Sequence, residues 1–77
     1  MNFKEMLTNI ARAIVDEPDQ VNVTETVDGD SIELVLTVAE SDTGLVIGRH
    51  GRIAKAIRQI IKAAASTCGK KVTVEIK

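Results

Sequence analysis

Tryptophan and tyrosine are missing from this 77-residue sequence, and phenylalanine occurs once, at Phe3. That scarcity excludes single-strand binders that stack successive bases on exposed rings. Cysteine also occurs once, at Cys68, so the chain cannot close an internal disulfide. No metal-ligand spacing surrounds Cys68, which reads as a small apolar residue near a helix end. Histidine is equally scarce, with His50 alone. No carboxylate or second ligand stands at diagnostic spacing from it, which argues against a general acid or a metal site. There is no paired nucleophile and base. Gly44, Gly48 and Gly51 are spaced four and three apart, not two and three as in a dinucleotide loop. The sequence therefore reads as no enzyme, with no cofactor and no small-molecule substrate. Long apolar runs are absent too. The opening "MNFKEMLTNIARAIVDEP" is amphipathic, interrupted by charge, and lacks the apolar core of a signal peptide. A cytoplasmic protein without a membrane segment is expected.

What is present begins with charge. The net charge of −1 hides a division along the chain. Residues 1–44 carry ten acidic side chains against Lys4 and Arg12, a net of −8. Residues 45–77 carry eight basic side chains against Glu75, a net of +7. Such asymmetry points to an anionic partner on one side, or to neutralisation between the two halves across the fold. The hydrophobic fraction of 44% is enough for one small core. No repeats, linkers or low-complexity segments divide the chain, so residues 1–77 are expected to form one domain.

The pattern of apolar residues predicts the elements. Phe3, Met6, Leu7, Ile10 and Ile14 recur at helical spacing. A first helix is expected at about residues 2–16, capped by Asn2 and ended by Pro18. "VNVTETV" and "SIELVLTVA" alternate around Asp28-Gly29-Asp30, a hairpin with a tight turn. Val35 and Ala39 on its other face make the second of these strands nearly apolar throughout, as expected of a strand covered on both sides or central in the sheet. Ser41 or Asp42 is expected to cap a short helix through Ile47, stopped by Gly48. Gly44 weakens that helix by about 1 kcal/mol relative to alanine, which suggests a close backbone contact there. A longer helix follows Gly51, with Ile53, Ala56, Ile57, Ile60, Ile61 and Ala64 as its buried stripe. Arg52, Lys55, Gln59 and Lys62 take another face. Gly69 should cap its end. "KKVTVEIK" closes the chain as a third strand.

Gly48-Arg49-His50-Gly51 is the most informative stretch. Glycine at both ends lets another backbone or a ligand approach without a Cβ in the way. The turn leads into a helix N-terminus, whose free N–H groups favour phosphate. Arg49 and His50 form its tip, and Arg52 and Lys55 extend the positive surface. Contacts of this kind hold a phosphate chain and carry little sequence information. Val46, Ile47 and Ile53, with part of the second strand, are expected to floor an adjacent apolar groove. Against this stands the plainer reading of Gly48 and Gly51 as a corner between two helices.

The segment "IGRHGRIAKAI" resembles the I-G-x-x-G-x-x-I signature of the KH RNA-binding domain, whose GXXG turn clamps four nucleotides by their backbone. The order α-β-β-α-α-β resembles the type II, or prokaryotic, KH arrangement. That likeness implies an α+β fold with a three-stranded mixed sheet and three helices on one face. "SDTGLVIGRHGRIAKAIRQIIKAAA" resembles the small stand-alone bacterial KH proteins of the KhpA type. The resemblance implies single-stranded RNA as partner and an RNA-chaperone or post-transcriptional role. It also implies a homodimer, or a heterodimer with a larger KH-containing protein of the Jag type, with links in some bacteria to cell elongation and envelope homeostasis. The RNA-binding residues it marks are Ile47, Gly48, Arg49, His50, Gly51, Arg52, Ile53 and Lys55. Two rivals stay open. One is a protein-interaction module that uses the acidic half and leaves the turn without RNA. The other is a helix-turn-helix DNA binder built on Asp42 to Ser66.

Overall fold

A computed structural model describes residues 2–77, apart from the side chains of Arg49 and His50. The first helix, α1 (Phe3–Ile14), is capped as its sequence predicts: Asn2 Oδ1 accepts the Glu5 backbone N–H at 2.9 Å. It ends at Ile14, two residues earlier than expected, and Pro18 opens a short 3-10 turn (Pro18–Gln20). Strand β1 (Asn22–Asp28) and strand β2 (Ser31–Thr37) form the hairpin. Gly29 takes φ +61° in its two-residue turn, the left-handed conformation that such hairpins need.

Helix α2 (Glu40–Thr67) is a single hydrogen-bonded run of 28 residues where two helices were expected. It is not straight. Gly51 has φ +67°, outside the range of a continuous α-helix. A straight rod of that length would measure about 42 Å, beyond the 35 Å long axis of the molecule. Gly48 does not share that positive φ, so the change of direction falls at the second glycine. We call residues 40–50 the first arm and residues 51–67 the second arm. The second arm ends as predicted. Gly69 takes φ +69°, and the Lys70 N–H reaches the Ala65 carbonyl at 3.0 Å while Gly69 N–H reaches that of Ser66. This pair of bonds is a Schellman motif. Strand β3 (Lys71–Ile76) follows at once.

The sheet order is β1-β2-β3, with β1 antiparallel and β3 parallel to β2. The helices lie on one face of this mixed sheet. Val23, Leu34, Leu36 and Val74 point into the core with Phe3, Leu7 and Ala11 of α1 and Ile57, Ile61 and Ala65 of α2. Each large apolar side chain buried there stabilises the fold by roughly 1.5–3 kcal/mol. The other sheet face is polar, with Thr24, Thr26, Glu33, Thr37, Thr73 and Glu75 exposed. β2 is the central strand, paired along both edges, and its outer face carries only Val35 as a half-buried apolar residue, between exposed Glu33 and Thr37.

Two expectations fail in detail. The buried stripe of the second arm is Ala54, Ile57, Ile61 and Ala65, while Ala56 is exposed and Ile60 is 51% exposed. The apolar arc is wider than the surface it covers, and Ile60 falls on its solvent margin. Neither Ser41 nor Asp42 caps α2. The N-cap is Ala39, which has no side-chain bond, and Asp42 lies two residues inside the first turn.

Candidate nucleic-acid interface

The turn residues predicted to meet a ligand sit where the two arms join. Gly51 supplies the left-handed conformation that a side chain would resist. Gly44 and Gly48 need no such conformation, and a Cβ built on either would touch nothing within 4 Å. The close contact expected at Gly44 is therefore not made within this chain. Gly44, Leu45 and Gly48 of the first arm, with Arg52 and Ile53 of the second, instead line a shallow depression. The missing Cβ atoms keep that depression open to solvent. The expected contributions of Arg49 and His50 rest on side chains outside the described residues.

The remaining predicted residues divide between two concavities. Arg52 is exposed, and Ile53 lies half-buried against the core at the depression. Ile47, 41% exposed, stands beside them on the first arm. Val46 is 1% exposed and belongs to the core, so it does not floor a groove as expected. Lys55 lies farther along, in a larger groove of about 830 Å³ between the second arm and β3. The helix contributes Lys55, Arg58, Gln59, Lys62 and Ser66 to this groove, and the strand contributes Lys71, Val72, Thr73, Val74 and Glu75, with Lys70 between them. Its strand wall is β3, not the β2 expected from the sequence, because β2 is covered on both edges.

The wall is a free strand edge. Lys71 N–H donates to the Asp30 carbonyl and Lys77 N–H to that of Leu36, both at 2.9 Å. The odd-numbered residues of β3 thus turn their backbone toward β2. Val72, Val74 and Ile76 turn theirs outward, toward the groove. Arg58 reaches across, and its Nε donates to the Val74 carbonyl at 3.2 Å. Arg58, Lys62, Lys70 and Lys71 were not among the predicted site residues. Lys55, Arg58 and Lys62 do share one helix face at spacings of three and four, the signal that could have placed them together. Lys70 and Lys71 gave no such signal, because only tertiary packing carries them to the same groove. Lys70 forms an ion pair with Asp30 at 3.3 Å.

Five cations along this groove, on the arm that leads out of the glycine turn, can hold a polyanion while leaving backbone donors and acceptors for flat groups within. Among the described residues, no group of three histidine, cysteine or acidic side chains could hold a metal ion. Among the same residues, no helix is long and apolar enough to cross a membrane.

A GXXG turn between two helical arms, embedded between the second and third strands of a mixed sheet, defines a KH domain. Residues 4–76 match the family model for the KH domain of KhpA and KhpB, and the chain belongs to that family. Curated relatives agree over nearly their full length. "RNA-binding protein KhpA" of Clostridium acetobutylicum is 55% identical over 74 residues, 96% of this chain and 99% of the relative. Its namesake in Clostridium perfringens is 52% identical with the same coverage, and that of Treponema pallidum is 43% identical, covering 95% and 91%. Among solved structures, Aquifex aeolicus Era bound to GDP and aluminium fluoride superposes with a TM-score of 0.68. The match has 21% identity and covers 96% of this chain but 29% of that one. A second Era structure, in complex with MgGDPNP and nucleotides 1506–1542 of 16S ribosomal RNA, gives a TM-score of 0.63 at 22% identity, covering 96% of this chain and 28% of that one. These two likenesses concern the fold.

Proposed function

We propose that the protein binds single-stranded RNA, with residues 1–77 acting as one KH unit. Arg49, His50 and the Gly48–Gly51 turn hold the phosphate chain, supported by Arg52 and by Lys55. Bases enter the groove between the second arm and β3, where Val72 and Val74 provide apolar contact and outward backbone groups. Arg58, a donor-only side chain, meets base acceptors there. Ile47 and Ile53 flank the path from the turn. The observation that carries this reading is the cationic groove of about 830 Å³ that starts at Lys55 on the arm leading out of the glycine turn. The relatives named as RNA-binding proteins support it. A role as RNA chaperone or post-transcriptional regulator in the cytoplasm fits a small domain that grips about four nucleotides. Such a grip is modest, and pairing two sites raises it strongly when geometry allows. Self-association, or pairing with a larger Jag-type KH protein, would supply that gain, and the exposed Leu45 and Ile60 offer apolar surface for it.

The test is titration with short single-stranded RNAs. An Arg49→Asp, His50→Asp double substitution is expected to weaken binding by about tenfold or more, the worth of one charge-assisted hydrogen bond. Wild-type affinity should fall steeply with added salt. Equal binding by the double variant would remove the turn from the mechanism.

A further inference from the structure

Asp42 is the one charged side chain among the described residues that is fully buried, at 1% exposure. Its carboxylate does not cap its own helix. Oδ1 accepts the Asp16 backbone N–H at 3.2 Å, and Oδ2 accepts that of Glu17 at 2.9 Å. These two consecutive N–H groups lie just past α1, beside the buried Val15. A buried carboxylate is costly unless hydrogen-bonded, and here each oxygen has a backbone donor. The first turn of α2 adds the favourable end of the helix dipole.

The consequence lies in what else holds the first arm. Between Glu40 and Gly48, only Asp42 and Val46 are buried. Gly44 and Gly48 weaken the arm as a helix, and Ala39 gives it no side-chain cap. Asp42 stands nine residues before Gly51, about 13 Å along the helix. An arm released at Asp42 pivots about its junction with the firmly buried second arm, which changes the angle at which the two meet at the GXXG turn. The same pivot moves one wall of the depression, since Gly44, Leu45 and Gly48 belong to the first arm while Arg52 and Ile53 belong to the second.

We infer that Asp42 is a positioning residue for RNA binding, a latch that fixes the first arm and its GXXG turn against the segment following α1. This rests on the RNA-binding reading above. Asn at this position keeps the size but sets an NH2 donor against one backbone N–H, so one bond of the latch is lost.

The experiment compares wild type, Asp42→Asn and the Arg49→Asp, His50→Asp variant, at a temperature where circular dichroism finds each folded. A short single-stranded RNA of random sequence is titrated, and amide hydrogen exchange is followed by NMR. The Asp42→Asn chain is expected to exchange faster over residues 43–48 with the core of the second arm unchanged, and its Kd to rise about threefold or more. A residue with a merely structural role would lower the melting temperature and leave the Kd of the folded chain alone. A smaller rise in Kd, or faster exchange spread evenly over both arms, overturns the latch. If Asp42→Asn does not fold, wild type decides. RNA binding should slow exchange at Asp16 and Glu17, which are remote from the turn in sequence, and unaltered exchange there overturns the inference. Failure of the RNA reading has a different signature: wild type and the turn variant bind RNA alike, whatever the exchange pattern of Asp42→Asn.

Discussion

The two arms of α2 share one hydrogen-bonded run and differ in how they are anchored. After Gly51, Ala54, Ile57, Ile61 and Ala65 enter the core in successive turns, above the sheet. In the first arm, Val46 and the Asp42 carboxylate are the only buried side chains among the described residues. The second arm should therefore open only with the domain, and the first at lower cost. The residues proposed to grip RNA stand at the junction, where a rigid floor meets a lightly held lever. Stability and binding should separate along this line.

The largest effect expected from breaking the comparison is at Ile61. Ile61→Ala should cost about 2–5 kcal/mol of stability, measured by chemical denaturation. The fraction that remains folded should bind RNA as wild type does. Next come two glycines in the same left-handed conformation, Gly51 at φ +67° and Gly69 at φ +69°, neither with an atom near its absent Cβ. Alanine at either should cost about 1–2 kcal/mol through backbone strain. RNA titration should then tell them apart: Gly51→Ala loses affinity and Gly69→Ala keeps it. The smallest effect sharpens the contrast by reversing a sign. Gly44 has an ordinary helical conformation and open space around it. Gly44→Ala should stabilise the fold by about 0.5–1 kcal/mol, while its methyl group intrudes on the depression and weakens RNA binding. A variant that is both more stable and unimpaired would mean that the depression takes no part.

Much of the fold was legible because it is local. The stripe of Phe3, Met6, Leu7, Ile10 and Ile14, all packed in or against the core, the alternation in each strand, the Asp-Gly turn and the Gly69 cap each follow from residues within a few positions of one another. The junction was legible from its two glycines, though not which of them turns the chain. Gly48 and Gly51 are alike in sequence, and only the path of the second arm over the sheet selects Gly51. Asp42 was misread for a related reason. A side chain at a helix start reads as a cap, and its real partners, Asp16 and Glu17, are 26 and 25 residues away. The groove was half legible. Lys55 and Lys62 lie on a recognisable helical face, but the parallel placement of β3 beside β2 brings Lys70, Lys71, Val72 and Val74 to it. Val27 alternates like a core residue and is 60% exposed, since β1 runs on past the helices that cover the sheet.

The outward edge of β3 has a bearing on solubility. An unpaired strand rich in valine and isoleucine invites pairing with the same strand of another molecule, the first step toward aggregation. Here the Arg58 Nε occupies the Val74 carbonyl, and Lys70 and Lys71 lie alongside it in the groove. Like charges brought together by such pairing would repel. The cations that would hold RNA thus also act as gatekeepers of the sheet. A chain stripped of them to abolish binding would expose a bare strand, and its poor behaviour in solution would have to be separated from loss of RNA affinity.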